Sequence, residues 1–397
     1  MFSRHVRVPG EPKVVRAVAV VVTRNIKYLL LACILSYSAI MQSAILPEDR
    51  ADILYHSYDG GGVEINGPSI LVRKKIGNSL SVSGNYYVDS ITSASIDVVA
   101  TASPYSEERN ETGLSMDYLH DNVTLSSAFS YSKENDFTAK TLHLGVSQEI
   151  FGGMTTVSLG YSRGWDEVGL RGDPTFSKDV DRQNYRLSVS QVLSKNMLME
   201  AAMEAITDEG YLNNPYRRVR YLTAPLTFAY QNEVYPNTRT STALTLRTKY
   251  YLPYHAALHG EYRYFQDTWG IKAHTFEVGY THPFKKHWII DLKVRGYSQN
   301  KADFYNDLFP FINAQNFLAR DKELSTFSNL TLGVGVSYEF AQDGWYFIDK
   351  GTLNFSINHI RFNYDDFRNV TAGGTPGTEP LYKFNANVMQ LFLSVWY

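Results

Sequence analysis

The chain has 397 residues, of which 44% are hydrophobic and 14% aromatic, with 29 tyrosines and a single cysteine. Its net charge of −2 would become about −7 after loss of residues 1–44, and a secreted acidic chain is a poor ligand for nucleic acid. Beyond the first 45 residues, no apolar run approaches the ~18 residues of a membrane helix. These features exclude a nucleic-acid-binding protein and a helical membrane protein.

Residues 1–44 are predicted to be a secretory signal. The charged stretch "RNIK" precedes the apolar run "YLLLACILSYSAIMQSA", and cleavage is expected after Ala44, although Gln42 stands where a small residue is preferred. A lipoprotein box ending at Cys33 is a weaker alternative, because the apolar run continues well beyond that cysteine. Residues 1–20 look redundant, so the true start is expected to lie further downstream. Cleavage after Ala44 would remove the cysteine, and the secreted domain would need no disulfide.

Apolar and polar residues alternate along the remaining chain, 45–397, which is predicted to form one domain. The alternation is clearest in four runs: "MTTVSLGYSRG" from Met154, "AALHGEYRYF" from Ala256, "WIIDLKVRG" from Trp288 and "NLTLGVGVSYEF" from Asn329. Strict alternation is expected of a strand whose two faces meet different environments. Each run has roughly ten residues, the length of a tilted strand that crosses a bilayer. The pattern therefore predicts membrane-spanning strands.

The connections between these runs are alternately short and long. Tight turns are predicted near Gly77, Asp121, Gly152, Lys195, Pro253 and Lys285, and long polar stretches near 91–111, 165–183, 209–239, 300–325 and 364–383. Short periplasmic turns and long extracellular loops are typical of outer-membrane barrels, whose strand count is even. We predict an all-β, antiparallel transmembrane β-barrel of about sixteen strands, with fourteen as the alternative. The larger count includes a pair of strands near 51–60 and 68–76.

The last stretch, "NVMQLFLSVWY", is also a predicted strand. Leu393, Val395 and Tyr397 share its apolar side, and Ser394 lies on the other. The stretch resembles the C-terminal assembly signal of bacterial outer-membrane proteins, which implies the barrel assembly machinery as a partner. This strand is expected to close the barrel against the first one, because an open edge in lipid would leave backbone hydrogen bonds unmade.

Six longer phrases carry a family resemblance. They are "PEDRADILYHSYDGGGVEINGPSILVRKK", "SASIDVVATASPYSEER", "GDPTFSKDVDRQNYRLSVSQVL", "ITDEGYLNNPYRRVRY", "YPNTRTS" and "AQNFLARDKELSTF". Together they resemble the proteobacterial "domain of unknown function 3570" family over nearly all of the chain after the signal segment. The resemblance implies a barrel in the cell outer membrane, in contact with its lipid, with no established activity. Family members are often encoded beside a flavin transferase and a thioredoxin-like protein, which implies an envelope redox or flavin-carrying partner.

Ten charged residues fall on the polar side of successive predicted strands. They are Glu200, Glu204, Arg247, Lys249, Glu261, Arg263, Glu277, Asp291, Lys293 and Arg295. A charge on the lipid face would cost ~2–4 kcal/mol near the midplane, so these side chains are expected to face the lumen. Two interpretations remain open: a cross-strand lattice of ion pairs that stiffens the wall, or the lining of a solute-selective pore. The interleaved signs favour the lattice.

Three weaker patterns carry no assignment. "GYSRG", from Gly160 to Gly164, matches the hydrolase pentapeptide but closes a strand instead of entering a helix. "DGGG", from Asp59, lacks the Lys-Ser/Thr of a phosphate loop. His255 and His259 lie roughly 14 Å apart along a strand, too far to bind one metal ion, although ligands from different strands stay possible. No catalytic, metal-binding or cofactor-binding residue is assigned.

The favoured function is non-enzymatic, either the passage of a small solute or a scaffold for an envelope partner. The alternative is an outer-membrane enzyme such as a lipid hydrolase or a protease, which would need a nucleophile or a base pair at the outer rim. A third hypothesis is a barrel around an electron carrier. The chain has no C-x-x-C-H haem site, so any cofactor would belong to the partner.

Overall fold

A computed structural model describes residues 44–101 and 105–397, and the predicted signal segment lies outside these residues except for Ala44. The strands are β1 (Arg50–Gly60), β2 (Val63–Ile76), β3 (Leu80–Ser93), β4 (Tyr105–His120), β5 (Val123–Lys133), β6 (Phe137–Ile150), β7 (Thr155–Leu170), β8 (Asp173–Ser194), β9 (Met197–Gly210), β10 (Arg218–Ala224), β11 (Thr227–Asn232), β12 (Thr238–Tyr251), β13 (Ala257–Asp267), β14 (Lys272–Phe284), β15 (Trp288–Gln299), β16 (Phe327–Phe340), β17 (Lys350–Arg368) and β18 (Leu381–Trp396). One short helix, α1 (Ile96–Thr101), and two 3₁₀ turns (Lys322–Leu324 and Val370–Ala372) complete the described elements.

Sixteen of these strands form one closed antiparallel barrel, while β10 and β11 form a separate hairpin. Neighbours along the chain pair with each other, and β12 pairs with β9 across the excursion that contains the hairpin. The barrel closes where β1 pairs with β18, with Arg50 opposite Trp396 and Gly60 opposite Ala386. The predicted count of sixteen is confirmed, and the predicted pair near 51–60 and 68–76 is β1 and β2.

The two faces of the barrel wall differ as the alternation predicts. Large apolar side chains point outward and are exposed, as with Leu114 and Phe276, whose exposed fractions are 62% and 60%. Small polar residues such as Ser83 and Thr275 occupy the alternate positions of their strands, point inward and are buried. An apolar outer band on a closed barrel is the surface that faces lipid, which places the protein in the outer membrane. Among the described residues, no helix is long and apolar enough to cross a membrane.

Aromatic side chains collect on the outer face near the strand ends that lead to the short turns. Tyr250, Phe284, Trp288 and Tyr338 are all exposed there. The rings of Trp288 and Tyr338, on the adjacent strands β15 and β16, lie 4.8 Å apart. Girdles of aromatic residues at both membrane–water interfaces are typical of outer-membrane barrels. These residues therefore mark the periplasmic boundary of the lipid-facing band.

The periplasmic connections are short, as predicted. Positive φ angles close several of them, with 65° at Gly77, 51° at Asp121, 66° at Gly152 and 57° at Lys285. Glycine takes this left-handed conformation without strain, and Asp takes it more readily than most residues. The longest periplasmic connection, residues 341–349, joins β16 to β17.

The outer connections are less uniform than the sequence pattern predicts. The stretch 165–183, expected to be a long loop, forms the outer ends of β7 and β8 with a two-residue turn at Arg171 and Gly172. Of the stretch 91–111, residues 91–93 end β3, residues 96–101 form α1, and residues 105–111 begin β4. Beyond the bilayer both faces of a strand meet water, so its polar sequence looks like that of a loop. The long outer connections are 211–237, 300–326 and 369–380.

Adjacent residues of β18 offer a test of the two faces. Leu391 points outward and is exposed, while Gln390 lies opposite His56 on the inner face. We expect Leu391→Arg to lower the free energy of unfolding by about 2–4 kcal/mol, because its charge would lie in hydrocarbon. Gln390→Arg is the matched control and should have little effect. Urea titration in lipid vesicles measures both, and equal destabilisation would contradict the assignment of the faces.

Candidate functional site

Three outer connections fold together above the lumen and are named the lid: residues 211–237, 300–326 and 369–380. The first contains the β10–β11 hairpin, and Phe309 of the second extends this small sheet. Its amide donates to the Arg220 carbonyl at 2.9 Å, and the Leu222 amide donates to the Phe309 carbonyl at 3.0 Å. The lid is therefore folded structure and not a set of free loops.

Aromatic packing holds the lid against the barrel. Tyr235 of the lid lies edge-on to Trp269 in the β13–β14 turn, with ring centroids 5.5 Å apart, and both contact Phe304. The same buried core includes Phe367 of β17 and Ile96 of α1. These residues come from connections that are far apart in sequence. The core thus joins several parts of the barrel mouth into one packed unit.

A buried ion cluster links the three segments of the lid. The Arg220 side chain, 0% exposed, forms ion pairs with Asp307 and Glu379, and its Nε donates to the Asp307 carbonyl at 2.9 Å. Arg320 Nε donates to Asp307 Oδ1 at 3.1 Å, and the Arg368 amide donates to the same oxygen at 3.2 Å. Removing one partner of such a cluster leaves a buried charge uncompensated and costs about 3–5 kcal/mol. The cluster is therefore the main polar interaction that holds the three segments of the lid together.

Glu233 is a second buried carboxyl group of the lid, 4% exposed. It accepts a hydrogen bond from the Tyr235 hydroxyl at 2.6 Å and another from the Arg320 amide at 2.7 Å. Burial, with a further contribution from the Asp321 carboxylate, raises the pKa of Glu233 to about 7. Its ionisation is thus coupled to the docking of 211–237 on 300–326.

Beneath the lid lies a chamber of about 1000 Å³, at the upper end of the volumes found for small-molecule sites. Inward-facing residues of the wall and residues of the lid line it together. The lining includes Glu107, Glu134, Asn135, Asp136, Arg171, Arg182, Asp208, Tyr211, Asn213, Tyr216, Glu233, Tyr235, Arg239, Arg263, Phe265, Trp269, Tyr297 and Gln299. Both signs of charge, amides and aromatic rings therefore line one space.

Three carboxylates form one side of the chamber. The oxygens of Glu107 on β4 and of Glu134 and Asp136 in the β5–β6 turn lie within 4.8 Å of one another. Within the part of the chain that the structure describes, none of the three forms an ion pair. Burial and the Glu107 charge raise the pKa of Glu134, and burial with the bond to Asp136 raises that of Tyr216 to about 12. Carboxylate oxygens so placed are suitable ligands for a hard cation.

Two arginines of the chamber, Arg239 on β12 and Arg263 on β13, lie six and seven strands around the barrel from Glu107 on β4. Arg239 forms two hydrogen bonds to Asp267 Oδ2, at 2.9 and 2.6 Å, and its guanidinium lies 4.6 Å from the Trp269 ring centroid. Arg263 lies 5.6 Å from the ring of Phe265. Charge-assisted bonds and ring contacts fix these groups in place. The chamber thus has the three-carboxylate cluster on one side and two positioned guanidinium groups on the other.

Below the chamber, the structure brings five of the ten charged residues named in the sequence into one network. Arg247 lies between Glu200, at 3.0 Å, and Glu261, at 2.6 Å. Arg263 Nη2 lies 3.5 Å from Glu204. Arg186 of β8, which the sequence pattern did not single out, contacts Glu204 at 2.7 Å and Glu200 at 3.3 Å. The network thus spans four adjacent strands, β8, β9, β12 and β13.

The other five charged residues are not part of this network. Glu277 lies 3.8 Å from His259 Nε2, and Asp291 accepts a hydrogen bond from Thr281 at 2.5 Å. Lys249, Lys293 and Arg295 form no ion pair with any residue that the structure describes. Lys293 and Arg295 on β15 therefore have no ion-pair partner among the described residues, whereas the charges on β8 to β13 mostly pair with one another.

Two histidines have partners that the sequence did not reveal. His56 Nε2 lies 2.6 Å from Asp89 Oδ1, with the ring of Tyr87 stacked 5.0 Å away. This contact crosses β2 at Gly67, which lies directly opposite His56 and has no side chain to intervene. A Cβ at Gly67 would also lie 1.8 Å from the Val88 carbonyl. The hydrogen bond between His56 and Asp89 therefore depends on a glycine in the intervening strand.

The second histidine, His143, contacts the serine of the "GYSRG" motif. Ser162 Oγ lies 2.9 Å from His143 Nδ1, so the serine does have a base as neighbour. The two residues are a cross-strand pair of β6 and β7 on the inner face, with no strand-to-helix elbow. Among the described residues, no carboxylate orients His143. The pair thus has two of the three parts of a hydrolytic triad.

The fold and its interior define an outer-membrane β-barrel with a lidded lumen. The chain belongs to the family described as "Protein of unknown function (DUF3570)", whose profile matches residues 93–348. The family resemblance is thus confirmed for more than half of the chain, while the phrase beginning at Pro47 lies outside the matched part. No protein with curated annotation matches the sequence significantly.

Solved structures with a similar chain course are outer-membrane proteins. A bacterial polysaccharide outer-membrane secretin has 9% identity and a TM-score of 0.48, over 89% of this chain and 100% of that one. A loop-deletion mutant of OmpT from Vibrio cholerae has 10% identity and a TM-score of 0.41, over 88% and 98%. The CymD monoaromatic hydrocarbon channel has 7% identity and a TM-score of 0.41, over 89% of each chain.

The raised pKa of Glu233 predicts that the lid weakens as pH rises. The docked lid binds this proton more tightly than the undocked one, so the stabilisation is complete below the ordinary pKa of 4.5 and is lost as pH rises through about 7. Hydrogen exchange of residues 211–237 should accordingly speed up over this range. Glu233→Gln keeps the acceptor for Tyr235 but cannot ionise, so its exchange should lack this step. An identical step in both proteins would contradict the coupling.

The position of Arg247 between two carboxylates predicts a structural role. Arg247→Glu should lower the free energy of unfolding by about 1–2 kcal/mol, since three like charges would face one another. Adding Glu200→Arg and Glu261→Arg should restore it. Lys249→Glu, on the same face of β12 but without an ion pair, is the matched control. Equal stability of the two single variants, with a shift of ion selectivity toward cations in planar bilayers, would instead show that Arg247 lines an open pore.

Proposed function

We propose that the barrel carries a small polar solute across the outer membrane and holds it in the chamber beneath the lid. The observation that carries this proposal is the chamber itself, about 1000 Å³ in volume and bounded by both the wall and the lid. A few placed polar groups among aromatic rings are typical of small-molecule sites. Acidic groups on one side and positioned arginines on the other suit a solute with polar or charged groups at both ends.

The lid supports selective passage over general diffusion. The mouth of a general porin stays open, whereas here the buried cluster around Arg220 joins three connections above the lumen. The ion-pair network around Arg247 narrows the lumen below. A solute would therefore pass when the lid loosens, and the chamber would be the step at which it is selected.

Two other functions have less support. A scaffold for an envelope redox or flavin-carrying partner would need a surface for that partner, and the lid covers the outer mouth of the lumen. A hydrolase is favoured by one observation, the contact of Ser162 with His143. Yet that serine lies within a strand and its histidine has no orienting carboxylate among the described residues, so we infer a non-enzymatic role.

Loosening the lid tests the proposal. Arg220→Met leaves Glu379 buried without its cation and leaves Asp307 paired with Arg320 alone, so it should release the lid while the barrel stays heat-modifiable. In planar bilayers, we expect low and intermittent conductance from the unaltered protein and sustained conductance from the variant. Arg218→Met is the matched control, because Arg218 is on the same strand, is exposed, and forms no ion pair with any described residue.

Two results would contradict passage through a lidded lumen. One is steady conductance by the unaltered protein on the scale of a general porin. The other is a variant whose lid is released, as shown by protease cleavage within 211–237, but which conducts no better than the Arg218→Met control. The second result would favour the scaffold.

A further inference from the structure

The β16–β17 connection has an aromatic tip. Trp345, Tyr346 and Phe347 are exposed by 67%, 100% and 73%. Trp345 and Ile348 exchange backbone hydrogen bonds of 2.7 and 3.0 Å, which makes Tyr346 and Phe347 the two central residues of a tight hairpin. Three adjacent large rings at a hairpin tip are unusual, because soluble surfaces rarely present contiguous apolar groups.

The backbone at this tip suits a different residue. Tyr346 has φ of 62°, in the left-handed region, where two-residue hairpins usually have Asn, Asp or Gly. A bulky side chain in that conformation is strained, and such strain persists where something else compensates for it. No described residue does so, since the ring is entirely exposed. The compensating contact therefore lies outside the part of the chain that the structure describes.

The hairpin is fixed to the part of the barrel that faces lipid. Gln342 Nε2 donates to the Lys286 carbonyl at 3.2 Å, and the Glu339 amide donates to the His287 carbonyl at 2.7 Å. The next residue along that turn is Trp288, which belongs to the aromatic girdle with Tyr338. The base of the hairpin thus lies beside the girdle at the periplasmic boundary of the lipid-facing band.

The neighbouring turn adds positive charge. Lys285 and Lys286 are exposed, and neither forms an ion pair with a described residue. An ammonium group beside exposed Trp and Tyr matches the boundary between phosphate headgroups and acyl chains, where the ring enters the apolar layer and the charge stays at its surface. If the hairpin instead bound a periplasmic protein partner, its position beside the aromatic girdle would serve no purpose.

We propose that the β16–β17 hairpin is a membrane anchor, with Trp345, Tyr346 and Phe347 inserted in the headgroup region of the periplasmic leaflet and Lys285 and Lys286 on phospholipid phosphates. The hairpin thereby extends the lipid contact of the barrel beyond its wall. This anchor is independent of solute passage, because it lies at the opposite end of the barrel from the lid.

Fluorescence quenching tests the anchor. The full-length protein is reconstituted in vesicles of phosphatidylcholine and phosphatidylglycerol, and subtraction of the Trp345→Phe spectrum isolates Trp345 from the other tryptophans. Phosphatidylcholine brominated close to the headgroup should reduce this difference emission by about half or more, whereas acrylamide in the water should have little effect. Trp269→Phe gives the matched control spectrum, and Trp269, 5% exposed within the lid core, should respond to neither quencher.

Quenching of Trp345 by acrylamide and not by brominated lipid would overturn the proposal, because the tip would then stand in the periplasm and fit a protein partner instead. The lysines are tested separately with Lys285→Glu combined with Lys286→Glu. Like charge against anionic lipid should reduce the brominated-lipid quenching of Trp345. Unchanged quenching would overturn the assignment of these two residues to phosphate.

Discussion

The pairing of every backbone N–H and C=O within the sheet is the constraint on which this molecule depends. Hydrocarbon offers no water to an unpaired group, so a spanning sheet must close on itself. The seam between β1 and β18 meets that demand with continuous pairing from Arg50–Trp396 to Gly60–Ala386. Closure gives the wall an outer face and an inner face, and side chains along each strand then point alternately to one and the other. Apolar residues outside and polar residues inside are consequences of the closed ladder and not its cause.

Much of the barrel could be predicted from the sequence because this constraint is local. Each strand carries its own alternation, so the positions of β12 to β16 and the tight turns near Gly77 and Asp121 follow from a few residues each. The outer ends of β7 and β8 could not be predicted in this way. Outside the bilayer both of their faces meet water, and the alternation that marks a strand is lost.

The site was harder to predict, since its contacts are distant in sequence. Arg220 meets Asp307 and Glu379 across 87 and 159 residues, and no periodicity connects them. Glu107 meets Glu134 and Asp136 only because β4, β5 and β6 are neighbours. The ten inward charges could be placed on one face, but their partners depend on register. Arg186 shows this, because it joins Glu200 and Glu204 through the pairing of β8 with β9.

The hydrogen bond between His56 and Asp89 across Gly67 has a mechanical consequence. A backbone ladder can be peeled apart one hydrogen bond at a time, but a side-chain bond that skips a strand resists this, since it ties β1 to β3 directly. β1, β2 and β3 should therefore behave as one rigid unit. If the wall parted laterally at the β1–β18 seam, these three strands would therefore move together as one unit.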